Sequence, residues 1–279
     1  MTQSAPLAET VAAIDAHGAR VQGMFSDIAR GYDRANRWMS LGIDVLWRRR
    51  AVAEVLPGSC ADDGSRGETG VPHAGERAGE DAGAAAGEGR ARILDLCAGT
   101  LDSTLELHRR YPQADIVGGD FSAGMLAVGE AKLRGAMRAR IVAREMDAHA
   151  LPEADASFDA IFCAFGARNL SDLAAATREQ LRVLRPGGRL TVLEFFRPRG
   201  LFSRAFHACY NRTVLPVVGF VATGNLGAYL YLPRSIGAFV SIEDYCALLE
   251  RAGMQVIGQE RLFGGVAGIV RAERPRGGA

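Results

Sequence analysis

A basic surplus, closely spaced cysteines and a long unbroken apolar run are all missing from this sequence, and each absence removes a class of protein. The 33 Lys and Arg residues against 32 Asp and Glu leave a formal charge of +1. That is without the basic excess of a nucleic-acid-binding domain, so no nucleic-acid partner is expected. Cys60, Cys97, Cys163, Cys209 and Cys246 lie far apart with no Cys-x-x-Cys pair, which reads as reduced thiols rather than a disulfide frame or zinc site. His17, His73, His108, His149 and His207 share no ligand spacing; they read as surface or packed residues, and no metal is expected. The most apolar stretch, residues 214–232, is broken by Pro216, Gly219, Gly224, Asn225 and Gly227 and falls short of the ~20 apolar residues that cross a bilayer. Residues 1–20 carry Glu9 and Asp15 without an apolar block, so no signal peptide is read there. The expectation is a cytoplasmic protein. The sequence leaves peripheral contact with the inner face of the membrane, and homodimerisation, open.

What is present is enough for a sizeable core: 279 residues, 48% of them hydrophobic, or one large domain with an appendage. Residues 57–92 depart from the rest, being rich in Gly, Ala and charge, with Val71 as the only large aliphatic side chain and no aromatic. Such a segment cannot offset the ~1–2 kcal/mol per residue of ordering its backbone, so it is expected to be a disordered insertion. The domain plan is then a helical lid region over 1–56, the insertion over 57–92, and a core over 93–279. Within the core, strands alternate with helices. ARILDLCAGT, ADIVGGD, RIVAREMD, SFDAIFCAF and RLTVLEFF read as strands, with helices over 102–110, 125–133 and 173–184, the last closed by Pro186-Gly187-Gly188. A helix over 242–251 and the strands MQVIGQERL and GVAGIVRAE follow. Repeated strand–helix–strand units predict an α/β fold: a Rossmann-like, mostly parallel sheet with helices on both faces and an antiparallel C-terminal edge.

Ligands of such sheets bind outside the carboxyl ends of the strands, which directs attention to the residues just after each strand. The first strand runs into Asp95-Leu96-Cys97-Ala98-Gly99-Thr100-Leu101-Asp102, a small-residue turn that lets a ligand approach backbone and helix N-terminus. Asp120 and Phe121 follow the second strand; an acid about 20 residues beyond such a glycine can accept both hydroxyls of a ribose. The G-x-G-x-x-G of dinucleotide binders is absent. A turn with one glycine suits an adenosine ligand without a pyrophosphate, such as S-adenosylmethionine. Asp147 and Ala148 after the third strand could meet adenine. Arg168 and Asn169, at the mouth of the fourth, point to substrate; no Asn-Pro-Pro-Tyr segment, as used on nucleic-acid bases, stands there. The run Arg48-Arg49-Arg50 after Trp47 reads as a solvated face near a helix C-terminus.

These residues resemble the menaquinone/ubiquinone-biosynthesis C-methyltransferases, a branch of the class I S-adenosylmethionine-dependent methyltransferases. The likeness runs through MFSDIARGYDRANRWMSLGIDVLWRR, DLCAGTLD, GGDFSAGML, LPEADASFDAIFCAFGARNLSD, LRVLRPGGRLTVLEFFRP and AYLYLPRSI. FGARN and RPGGRLTVLEFFRP are the branch-specific parts. The resemblance implies S-adenosylmethionine as cofactor, held by Asp95, Gly99, Thr100, Asp102, Asp120, Phe121, Asp147, Ala148 and Ala164, with Tyr32, Asp33 and Asn36 as a lid. It implies methylation of a ring carbon of a lipophilic, prenylated quinol, with demethylmenaquinol first in line, and makes Arg168 the arginine near the quinol ring. The tail would need an apolar channel, for which residues 202–232 are the candidate. There are two departures. Leu101 stands where the family turn has glycine, and with φ > 0 it would cost ~1–2 kcal/mol and intrude on the methionine end of the cofactor. Ala164 stands where the family has serine. The alternatives are another small phenolic substrate, a cofactor-binding homologue without activity, and a nicotinamide-linked oxidoreductase, which the glycine pattern disfavours.

Overall fold

The computed structural model describes residues 23, 33, 37, 40, 42–56, 90–200, 232 and 234–277. Tyr32, Asn36, Cys60, Cys209, residues 57–89 of the expected insertion and residues 202–231 of the expected channel lie outside the described residues.

Seven strands form one sheet in the order β3-β2-β1-β4-β5-β7-β6. They are β1 (Arg92–Leu96), β2 (Asp115–Asp120), β3 (Ile141–Glu145), β4 (Phe158–Ala164), β5 (Leu184–Glu194), β6 (Gln255–Leu262) and β7 (Ala267–Glu273). The first five pair in parallel, and β7 runs antiparallel between β5 and β6, as the strand–helix alternation followed by two late strands predicts. Helices that accompany them among the described residues are α1 (Ile43–Val52), α2 (Asp102–Arg110), α3 (Ala123–Glu130), α4 (Leu173–Val183) and α5 (Ile242–Arg251). Caps fix where three of them start. Ser122, Asp172 and Ser241 accept the backbone N–H of Met125, Ala175 and Asp244 respectively, each satisfying a donor that the first turn leaves unpaired. Ser122 is why α3 begins two residues before the expected position.

Alternate side chains of the central strands reach opposite faces, and both faces are covered. Leu94, Ile161, Leu190, Val192 and Val270 pack with Ala176 and Val183 of α4 and Tyr245 and Leu249 of α5. Ile93, Ile116, Phe162, Leu193 and Ile269 pack with Ala51 and Val52 of α1, Leu107 of α2 and Leu126 of α3. The Tyr111 hydroxyl closes α1 by donating to the carbonyl of Val52 at 2.9 Å and accepting the N–H of Val55 at 3.2 Å.

Three details differ from the sequence reading. β1 starts at Arg92, one residue inside the expected insertion. Helix α3 ends at Glu130 rather than 133. Pro186-Gly187-Gly188 does not separate α4 from the next strand but lies inside β5, where the register against β4 slips between Phe158 and Ala160. Gly187, at φ 79°, donates to Arg274 at 2.8 Å, and Gly188 accepts from Arg274 at 2.9 Å. The prolyl-glycyl segment is thus an irregular strand start held by the C-terminal edge.

Leu101 occupies the left-handed region at φ 64°, as feared, but its side chain turns into the core. It is fully buried, and a methyl placed on Gly118 or Gly129 would fall 2.6 or 2.4 Å from its atoms. Those glycines make room for it, so burial offsets the backbone strain. Leu101→Gly would relieve ~1–2 kcal/mol of strain while leaving a cavity that costs ~2–5 kcal/mol. We expect a net destabilisation of roughly 1–3 kcal/mol, read as a lower urea midpoint. A variant more stable than the wild type would show that strain outweighs packing.

Candidate active site

A cavity of about 580 Å³ opens where β1, β2, β3 and β4 end at their carboxyl termini. The turn after β1 forms its floor, with Cys97, Gly99 and Leu101 alternately at φ 60°, 53° and 64°. The N–H of Gly99 reaches across to Asp120 Oδ2 at 2.8 Å, and the N–H of Ser122 binds the other oxygen at 2.9 Å. Asp120 is 6% exposed; burial raises its pKa above the ordinary carboxylate value, and N–H groups of Ser122, Gly99 and Phe121 hold it back.

Of the residues expected at the cofactor, Gly99, Thr100, Asp102, Asp120, Phe121, Asp147, Ala148 and Ala164 line this cavity, and so does Asn169. Asp33 joins them: its carboxylate accepts the Thr100 hydroxyl and, at 2.5 Å, Lys132 Nζ. Lys132 also donates to the Thr100 carbonyl at 2.8 Å and to Asp102 at 2.7 Å. It is the single lysine of the sequence. That singularity is a signal the sequence reading passed over: a compact ammonium has three donors for three acceptors, which the planar guanidinium of an arginine matches poorly. At the far wall, His149 Nδ1 lies 2.6 Å from Asp147 Oδ1, and its Nε2 accepts the N–H of Asp172 at 3.2 Å. His149, which the sequence left as a surface or packed residue, thus links the post-β3 turn to the start of α4.

Two expected site residues stand elsewhere. Asp95 is 1% exposed and absent from the cavity wall. It lies beneath the turn, accepting the Thr104 hydroxyl at 2.6 Å, and burial pushes its carboxyl up to about 7 against that hydrogen bond and the charge of Arg48. Arg168 does not line the cavity either. Its side chain is 6% exposed, with Nη1 donating to the Phe165 carbonyl at 2.6 Å and to Glu194 at 2.7 Å. Glu194 is fully buried and also accepts the N–H groups of Arg168 at 3.1 Å and Phe195 at 2.7 Å. The pair ties the ends of β4 and β5 together. A short 3-10 turn over Ala167–Asn169 aims Asn169 at the cavity and Arg168 behind it.

Arg48 reverses the other way. Its neighbours Arg49 and Arg50 are exposed, but Arg48 lines the cavity with only 12% of its side chain exposed. Nη1 donates to Asp44 at 2.6 Å, and the guanidinium carbon sits 5.5 Å from the ring centre of Phe165. Phe165 stacks on Phe195 at 4.8 Å, and Trp47 meets Phe195 edge-on at 6.1 Å. Cys97, Cys163 and Cys246 are free thiols. No helix among the described residues is long and apolar enough to cross a membrane.

Comparison with known proteins gives a family and a fold. The ubiE/COQ5 methyltransferase family matches residues 13–274. The demethylmenaquinone methyltransferase of Thermus thermophilus is 42% identical over 255 residues, covering 90% of this chain and 100% of its own. That of Deinococcus radiodurans is 41% identical over 253 residues, covering 90% of this chain and 91% of its own. Among solved structures, an S-adenosylmethionine-dependent methyltransferase of Thermotoga maritima matches the fold with a TM-score of 0.53 at 16% identity, over 88% of this chain and 97% of its own.

Two outcomes follow from the buried charges. Asp95 holds its proton more tightly folded, at about 7, than at its ordinary 3.8. Its contribution to stability is therefore complete below about pH 4 and lost as the pH rises through about 7. The stability of the wild type relative to Asp95→Asn should fall between about pH 4 and about pH 7 in urea denaturation; a difference independent of pH would contradict this. Arg168→Ala leaves Glu194 buried without its partner and should cost roughly 3–5 kcal/mol, most of it regained when Arg168→Met is combined with Glu194→Gln. A single variant of wild-type stability would remove the pair from the frame.

Proposed function

As a member of the ubiE/COQ5 methyltransferase family, to which the match over residues 13–274 assigns it, the chain is an S-adenosylmethionine-dependent methyltransferase, and we propose that it methylates a ring carbon of demethylmenaquinol to give menaquinol. The observation that carries this reading is the pairing of that family with the cavity's donor set. Five carboxylates, Asp33, Asp102, Asp120, Glu145 and Asp147, line it, a field suited to a sulfonium cation bearing an ammonium group. The two relatives compared above, at 41% and 42% identity, carry the name demethylmenaquinone methyltransferase, which favours the naphthoquinol over a benzoquinol.

The residues fit the cofactor. Asp120 accepts the backbone N–H groups of Gly99 and Ser122, with that of Phe121 beside them, and a carboxylate has about four lone-pair sites, so room remains for a ribose hydroxyl. Asp147 and Ala148 would face adenine. Gly99, without a side chain, lets the methionine portion approach Thr100 and Asp102. When bound, S-adenosylmethionine supplies an electrophilic methyl group: the ring carbon gives the electron pair of the new bond, the carbon–sulfur pair stays on sulfur, and the ring proton passes to solvent. The chain's own task is positioning and exclusion of water. Lys132 holds Asp33 of the N-terminal segment down on the turn, and Arg168 with Glu194 fixes the backbone that carries Asn169 and Phe165. For the prenyl tail, the apolar composition of residues 202–232 makes that segment the candidate path and the point of peripheral membrane contact.

Purified protein given S-adenosylmethionine and reduced demethylmenaquinol should yield menaquinol, detected by mass spectrometry. Calorimetry should give a 10- to 100-fold weaker cofactor affinity for Asp120→Asn, the loss of about 1.5–3 kcal/mol for hydrogen bonds to a charged acceptor. Wild-type affinity should also weaken on acidification before an exposed carboxylate would titrate, because protonating Asp120 removes the acceptor. Cofactor binding unchanged in Asp120→Asn would reject this reading of the site, and no methyl transfer to the quinol would reject the substrate.

A further inference from the structure

We infer that Arg48 is the residue that binds the hydroxyl oxygen of the aromatic substrate and favours its ionisation, a role that rests on the methyltransferase reading above. The argument begins with charge. A ring carbon becomes a better nucleophile when the neighbouring hydroxyl loses its proton to water and keeps the electron pair on oxygen. Carboxylates beside a phenol oppose that ionisation, and a cation favours it. Of the described residues lining the cavity, five are carboxylates and one, Arg48, is a guanidinium. Arg168, the arginine that the sequence places at the quinol ring, faces Glu194 and the Phe165 carbonyl behind the wall.

Arg48 is also built to be held still while keeping donors for a ligand. Helix α1 fixes its stem, and Asp44, one turn earlier, takes Nη1 at 2.6 Å and is itself held by the Ser40 hydroxyl at 2.5 Å. Among the described residues this is the guanidinium's one hydrogen bond, and the side chain lines the cavity, so other N–H groups are left for a ligand. Its buried Nε finds no partner among the described residues. The ring of Phe165, 5.5 Å from the guanidinium carbon, lines the same cavity. An aromatic substrate lying along Phe165 would present its oxygen to the guanidinium.

The test uses two readouts on the full chain, each with Arg48→Met, Arg48→Lys and the double variant Asp44→Asn/Arg48→Met, which leaves no unpaired carboxylate. The first is binding of 1-naphthol in the presence of S-adenosylhomocysteine, with its ionisation followed by absorbance. The wild type should bind the naphtholate in preference, lowering the apparent pKa by one to two units, a 10- to 100-fold shift. Arg48→Met and the double variant should abolish the shift, and Arg48→Lys should keep part of it. The second is turnover of demethylmenaquinol, where kcat should fall about 100-fold, the scale of losing one donor to a developing oxyanion, while S-adenosylmethionine affinity stays within about threefold. Unshifted naphthol ionisation in the wild type, or a wild-type kcat in both Met variants, overturns the inference. So does a loss confined to cofactor affinity, which would assign Arg48 to the methionine carboxylate. If the wild type ionises naphthol but leaves the quinol unmethylated, the substrate reading fails while the role of Arg48 stands.

Discussion

The geometry of the cavity hangs on one ammonium group. Lys132 Nζ gathers Asp33, Asp102 and the carbonyl of Thr100 within hydrogen-bonding distance, joining the N-terminal segment to the turn after β1. The Thr100 carbonyl belongs to a turn in which Cys97, Gly99 and Leu101 all take left-handed backbone angles, a conformation L-residues resist by ~1–2 kcal/mol each. The turn is held from below by Leu101 in the core and from above by Lys132. With both anchors in place the N–H of Gly99 reaches Asp120. In a chain with 32 arginines besides this lysine, a spherical donor at this point is a chemical requirement rather than a compositional accident.

Charge buried at the site is costly, and the way the cost is met says what the site is for. Asp120 accepts backbone N–H groups, which stabilise the carboxylate without neutralising it. Asp95 relies on Thr104, one of its oxygens finds no partner, and burial pushes its carboxyl up to about 7. Backbone N–H groups thereby limit the rise that burial gives Asp120 at the cavity wall, and Asp95 is free to hold a proton underneath it. A cationic ligand entering above would draw both toward the ionised form, so cofactor binding and the protonation of Asp95 are linked.

The sheet was legible in the sequence because its signal is periodic: apolar runs of strand length alternate with helices whose caps are written as Ser122, Asp172 and Ser241. The positions of Asp120, Gly99 and Ala148 were legible because they follow strands, and a parallel sheet gathers its strand ends in one place. Side-chain direction outside regular elements was not. Arg168 sits in a single 3-10 turn, where no periodicity tells front from back, and neighbouring Asn169 takes the front. Leu101 looked like an intrusion on the cofactor because the turn alone shows a bulky residue at positive φ; only the Gly118 and Gly129 gaps, on other elements, show where it goes. Arg48 was readable after all. It shares a helix face with Asp44 at i−4 and with buried Ala51 and Val52 at i+3 and i+4, whereas Arg49 and Arg50 point elsewhere. A run of three arginines on a helix spans most of its circumference, and one of the three had to face inward.

The two inward arginines divide the work according to their partners. Arg168 meets a fully buried carboxylate and a carbonyl, and Glu194 in turn takes backbone N–H groups from both strand ends. Such a pair adds little net stability over an apolar substitute but is severe to break; its effect is to fix one arrangement of the β4 and β5 termini. Arg48 is anchored by a single bond to Asp44 at the cavity wall, with donors to spare. A cation that must respond to charge developing on a substrate cannot be saturated beforehand. Access to the cavity therefore separates the framing arginine from the one available for chemistry, and it separates them in the order opposite to the one their positions after β4 and on α1 suggest.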